Sequence, residues 1–148
     1  MKFLILSICL MATAMMVYAG TIADTALHGG TLSSEDVQAC YDNSKLEEAG
    51  LITYAEIKDG SYNDSENAEK ARKNGCFTLC ILQKRGMIVN SEIQTDKLYG
   101  KSAHVHLNPG TQAKIQATVD NCVEQVKGIP HMCDKSLNLL TCLWKDFI

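Results

Sequence analysis

Beyond residue 31 the apolar positions recur every three or four residues in separate blocks, the spacing that lines one face of a helix. Val37, Cys40 and Tyr41 form the first such block, and Ser33 or Ser34 can cap it, with Glu35 and Asp36 suited to the positive end of its dipole. Gly50 closes that region. Thr53-Tyr54-Ala55-Glu56 reads as a capping box that opens a short second helix ending at Gly60. The longest pattern runs from about Ser65 to Arg85, capped by Asn63 or Asp64 and stopped by Gly86. In it Ala68, Arg72, Cys76 and Cys80 share one stripe, with Phe77, Leu79, Ile81 and Leu82 beside it.

Met87-Ile88-Val89 is too short for a helix and has no evident partner strand, so it reads as a buried connector. A fourth, short helix starts between Ser91 and Thr95 and contains Leu98 and Tyr99. Asn108-Pro109 starts a fifth, whose inner face carries Ile115, Val119, Cys122 and Val126 before Gly128-Ile129-Pro130 breaks it. Asp134 is expected to cap a sixth, where Leu137, Leu140, Trp144 and Phe147 repeat at helical spacing. The predicted class is all-α.

Residues 1–19 have a different pattern. Lys2 is their only charge, Phe3 to Tyr18 is an apolar run, and Val17-Tyr18-Ala19 places small residues where a signal peptidase cuts. The run falls short of the roughly 20 residues that span a bilayer, so a cleaved secretory signal is expected. The domain would then be residues 20–148. Its lead-in to Thr31 is polar and holds a Gly29-Gly30 pair.

Cleavage also changes the cysteine count. Seven cysteines become six when Cys9 is removed, and an even count in an oxidising compartment implies three bridges. Neither a Cys-x-x-Cys motif nor paired zinc knuckles occur in the remainder, so no metal or other cofactor is expected. Cys76 and Cys80 lie one helical turn apart with parallel side chains and each needs another partner. Cys133 and Cys142 are likewise too far apart along a helix to join. Ten of the 15 pairings that six cysteines allow survive these two exclusions.

Losing Lys2 leaves 13 basic against 17 acidic residues and no basic stripe, which argues against nucleic acid. No GxSxG, HExxH or calcium-loop motif points to an enzyme. Asn63-Asp64-Ser65 is a glycosylation sequon, and Lys84-Arg85-Gly86 reads as a solvated helix end.

From Cys40 the intervening counts are 35, three, 41, ten and eight residues. This resembles the six-cysteine pattern of insect odorant-binding proteins, the pheromone- and general-odorant-binding family. Lys73-Asn74-Gly75-Cys76 and Cys133-Asp134-Lys135-Ser136-Leu137 further resemble ant members of that family. The resemblance implies a six-helix, disulfide-braced bundle around an apolar cavity, with bridges Cys40–Cys80, Cys76–Cys133 and Cys122–Cys142. It also implies an extracellular carrier of small hydrophobic ligands (odorants, pheromones or cuticular compounds), with a chemoreceptor downstream, no stable membrane insertion, and a homodimer left open. A secreted helical signalling protein that carries no ligand is the alternative, because an apolar interior reads the same whether side chains or a guest fill it.

Three crosslinks suit a hollow fold. A void forfeits about 24 cal/mol per Å³, whereas each bridge contributes roughly 3 to 4 kcal/mol by restricting the unfolded chain. The expected wall consists of Leu82, Met87, Ile88, Leu98, Ile115, Val119, Leu140, Trp144 and Phe147, with Tyr54 or Tyr99 offering a hydroxyl to a polar ligand group. His104 and His106 titrate near neutrality and are candidate pH sensors, against the blander reading of a solvated loop. Only six residues follow Cys142, so a long C-terminal tail folding into the pocket is not expected.

Overall fold

The computed structural model describes residues 32–100 and 107–147, with side chains up to Lys145. Residues 1–19, Gly29-Gly30, His104 and His106 lie outside the described residues, as does the side chain of Phe147.

Six α-helices are described: α1 (Ser34–Ser44), α2 (Tyr54–Asp59), α3 (Ala68–Lys84), α4 (Thr95–Tyr99), α5 (Pro109–Val126) and α6 (Met132–Phe147). Three of the starts are fixed by local hydrogen bonds. The Ser33 hydroxyl accepts from the Asp36 N–H while the Asp36 carboxylate accepts from the Ser33 backbone, and Thr53 and Glu56 make the same reciprocal pair. Asn108 accepts from the N–H of Thr111, with Pro109 in the first turn where no amide partner is needed.

Two starts differ from the sequence reading. Neither Asn63 nor Asp64 caps α3; a 3₁₀ turn, Ser65–Asn67, winds straight into it. The sixth helix begins earlier than an Asp134 cap would allow. Lys135 N–H already donates to the His131 carbonyl, so Asp134 sits inside the first turn, where its charge suits the dipole.

The connector reading of Met87-Ile88-Val89 is also corrected. Ile88–Val89 (β1) pairs antiparallel with Glu92–Ile93 (β2), in register Ile88 to Ile93 and Val89 to Glu92. Asn90 and Ser91 between them have φ of 50° and 66°. Positive φ at both central residues is what a tight hairpin turn requires, so the partner strand is the segment that the sequence suggested as the start of a helix.

Three disulfides brace the helices: Cys40–Cys80 joins α1 to α3, Cys76–Cys133 joins α3 to α6, and Cys122–Cys142 joins α5 to α6. Helices α3 and α6 form the most extensive interface. They pack tightly at Gly75, where an added Cβ would lie 2.5 Å from the Cys133 carbonyl oxygen. Burial on α6 covers a wider face than the apolar stripe alone. Ser136, Leu137, Leu139 and Thr141 are all buried across one broad face, while Asp134 and Lys145 on the same helix are exposed.

The apolar interior divides in two. One cluster gathers α1, the 46–52 loop, α2 and α3 around Val37, Ile52, Ile57, Phe77, Ile81 and Leu137, with the Tyr41 and Phe77 rings 4.6 Å apart. The other gathers the hairpin, α4, α5 and parts of α3 and α6 around Leu82, Ile88, Cys122, Val126 and Leu139.

Candidate functional site

The second cluster is built differently from the first. The first has more fully buried members than partly buried ones. In the second, Leu79, Met87, Ile93, Leu98, Val123, Ile129, Met132, Cys142 and Leu143 are only partly buried, and they outnumber its buried residues. An apolar surface left half open is a surface still available to an apolar guest.

Local structure explains how these side chains converge. The positive-φ turn at Asn90-Ser91 folds Ile93 back beside Ile88, and the backbone of Gln94 donates to the Met87 carbonyl at 2.7 Å, closing the base of the hairpin. Helix α4 then brings Leu98 alongside. The Cys122–Cys142 bridge holds α5 against α6, so Val123 and Leu143 are kept at the edge of the same cluster.

Of the nine expected wall residues, Leu82, Met87, Ile88 and Leu98 belong to this cluster. Leu140 and Trp144 instead pack on the first cluster. Val119 is buried and Ile115 half-buried on the face of α5 that carries Cys122 and Val126. Ile93, Val123, Ile129, Met132 and Leu143 also pack on this cluster and are not among the nine expected wall residues. The helical spacing of Val123 and Leu143 was a usable signal; Ile93 gave none, because its place depends on the hairpin.

Three open troughs of about 560, 520 and 470 Å³ lie around the Cys76–Cys133 end, the last of them reaching Met132 at the edge of the second cluster. Their linings are rich in Lys45, Glu69, Lys70, Arg72 and Lys73, and none of the nine wall residues borders them. Open troughs bordered by charged side chains of both signs offer little enclosure to a hydrophobic ligand.

Tyr54 is half-buried at the start of α2. Tyr99 is already engaged: its hydroxyl donates to the Asp120 carboxylate and lies 3.5 Å from the Gln116 carbonyl, clamping α4 to α5. Desolvation and the Asp120 carboxylate push its phenol from 10.0 up to about 12. A raised phenol pKa means that the folded state holds the proton more tightly than the unfolded state. The clamp therefore contributes fully below pH 10 and is lost as pH rises towards about 12. Denaturation series across that range should show stability falling, and Tyr99→Phe should flatten the decline; an unchanged profile in the variant would exclude the clamp.

Among the described residues no group of three or more His, Cys, Asp or Glu side chains is placed to hold a metal ion. No described helix is long and apolar enough to cross a membrane.

The family model described as the PBP/GOBP family matches residues 33–146, nearly all of the described fold. The chain belongs to that family. Its members are binding proteins, not enzymes. The chain is 28% identical over 146 residues to the pheromone-binding protein Gp-9 of Solenopsis nigella gensterblumi, a match covering 97% of this chain and 91% of that protein. It is 27% identical over 133 residues to the Gp-9 proteins of Solenopsis daguerrei and Solenopsis electra, covering 88% of this chain and 84% of each. No solved structure matches the chain. The insect odorant-binding resemblance of the cysteine spacing and the whole-chain similarity to these ant proteins thus agree.

Proposed function

We propose that this PBP/GOBP-family chain is a secreted carrier that binds a small hydrophobic ligand on the inner surface of its second apolar cluster and conveys it through aqueous fluid to a chemoreceptor. Residues 1–19 are the signal removed on export, and residues 20–148 are the carrier domain. The observation that supports the binding reading is the half-open cluster formed by the hairpin, α4, α5 and α6. The relatives' printed name, pheromone-binding protein, points the same way and suggests pheromones as the ligand class.

Affinity on such a wall comes chiefly from apolar burial at about 25 cal/mol per Å². A fluorescent apolar probe such as a naphthylamine should therefore bind the folded domain and be displaced by volatile or cuticular compounds. Leu98, half-buried in the cluster, is the residue to truncate. Removing most of a partly covered leucine side chain loses about 1 kcal/mol, so Leu98→Ala should weaken binding roughly fivefold. A wild-type domain that takes up no probe would favour a ligand-free signalling protein instead. Unchanged affinity in Leu98→Ala would move the wall away from α4.

A further inference from the structure

An asparagine accepts a glycan on its side-chain nitrogen when serine or threonine stands two positions on and the residue between is not proline. Asn63 is the one asparagine of this chain that meets the rule, with Asp64 between it and Ser65. So short a pattern says little until the fold places it, because a glycan needs open solvent. Here Asn63, Asp64 and Ser65 are all exposed.

The side chain is also uncommitted, which sets it apart from other asparagines of the fold. Asn67 donates to the Ser61 carbonyl at 2.8 Å, Asn138 donates to the Asp134 carbonyl at 2.8 Å, and Asn74 is bonded three ways in the interior. Among the described residues no hydrogen bond or ion pair engages the Asn63 amide or the Ser65 hydroxyl. The local fold is held by backbone instead. Asn63 closes a 3₁₀ turn, Ser61–Asn63, through its N–H to the Gly60 carbonyl, and Asp64 donates to the Ser61 carbonyl. That turn packs on α2 and α3, and its buried Tyr62 belongs to the first cluster. No member of the second cluster lies in it.

We propose that Asn63 carries an N-linked glycan in the exported protein. The donor is an oligosaccharide held on a lipid diphosphate. Asn63 Nδ2 bonds to the anomeric carbon of its first sugar, the bond from that carbon to the diphosphate oxygen breaks, and the amide proton passes to a base of the transferase. Lipid diphosphate is the leaving group, and nothing is oxidised or reduced. Since the Asn63 amide holds no part of the fold together, its substitution leaves the turn intact. The glycan then stands at the first-cluster end, away from the half-open second cluster. The proposal shares with the carrier reading only the export of the chain, and it holds whatever ligand is bound.

The test expresses the whole chain in insect cells, with residues 1–19 in place, and measures the intact mass of the secreted protein before and after a glycoamidase. Wild type is expected to lose mass on treatment, and release in heavy-oxygen water should label the peptide that holds Asn63. Ser65→Ala and Asn63→Gln should each be secreted without the glycan, whereas Ser65→Thr, which keeps the hydroxyl, should retain it. All of these forms should melt together, because the exchanged groups are exposed and unbonded. Affinity for the naphthylamine probe should agree within about twofold between glycosylated and stripped wild type, as for a surface change away from the wall. Wild type secreted at the mass of the bare chain, or a label that Ser65→Ala does not abolish, would overturn the proposal and leave the carrier reading standing. A severalfold change of probe affinity on stripping would overturn the placement of the glycan away from the second cluster. A chain retained inside the cell would overturn both readings, which share the export step.

Discussion

Gly75→Ala should destabilise the fold by about 2 kcal/mol, even though alanine is the better helix former. The added Cβ would sit 2.5 Å from the Cys133 carbonyl oxygen and 2.9 Å from its carbonyl carbon, closer than such contacts occur. The obstacle is backbone, so no side chain can swing aside. It is also the backbone of a residue bonded to Cys76, the next residue on α3, so the two helices cannot simply slide apart there. Overpacking of a buried contact typically costs 1–3 kcal/mol, here at or above the upper end, and the gain in helix propensity of about 1 kcal/mol offsets only part of it. Chemical denaturation should show the loss as a lower midpoint. Gly128→Ala provides the control, because nothing lies within 4 Å of the added atom and its φ is not left-handed. It should stay within about 0.5 kcal/mol of wild type. Equal behaviour of the two variants would show that α3 and α6 can separate freely at Gly75.

This contact also marks the boundary of what the sequence makes legible. The starts of α1, α2 and α5 follow from residues within four positions of one another, Ser33 with Asp36, Thr53 with Glu56, and Asn108 with Pro109, and such signals survive without knowledge of the fold. The hairpin did not survive. Two-residue strands carry no period, and its turn is Asn-Ser rather than the more telling Asn-Gly. Misreading Asp134 as a cap has a similar cause, because a helix that begins directly after Pro130-His131 offers no conventional capping side chain.

The candidate site was half legible for a deeper reason. A one-faced apolar stripe predicts burial well for α5, where Val119, Cys122 and Val126 are indeed the buried residues. The buried face of α6 is broad enough to take polar Ser136 and Thr141 inside together with Leu137 and Leu139, and nothing in the local pattern separates them from exposed serines and threonines. The same holds for Thr78 on α3. Cysteine spacing left ten bridge patterns open on geometry, and choosing among them required either the family pattern or the fold itself.

The second large effect is expected one residue before Gly75. Asn74 is fully buried, and its side-chain amide closes a three-way junction: Oδ1 accepts from the Ile52 N–H at 2.9 Å, while Nδ2 donates to the Gly50 carbonyl at 2.8 Å and the Lys70 carbonyl at 2.9 Å. The chain from Gly50 to Ile52 has no regular ladder to satisfy it, so these bonds are what dock Leu51 and Ile52 into the first cluster. Asn74→Ala leaves a buried N–H and a buried carbonyl without partners and opens a small void. At about 1–3 kcal/mol for each orphaned group, a loss of about 3 kcal/mol follows, or roughly 10 °C in melting temperature for a domain of this size. Asn74→Asp separates hydrogen bonding from volume. It keeps the acceptor for Ile52 but turns the donor end into a carboxylate oxygen facing two carbonyls, so it should destabilise at least as much as alanine near neutral pH. Below the ordinary carboxylate range, protonation would return one donor and relieve the charge, and Asn74→Asp should then move closer to wild type while Asn74→Ala does not. An aspartate variant as stable as wild type at neutral pH would show that the 50–52 loop is held in the first cluster by apolar contacts alone, and that the amide junction contributes nothing to it.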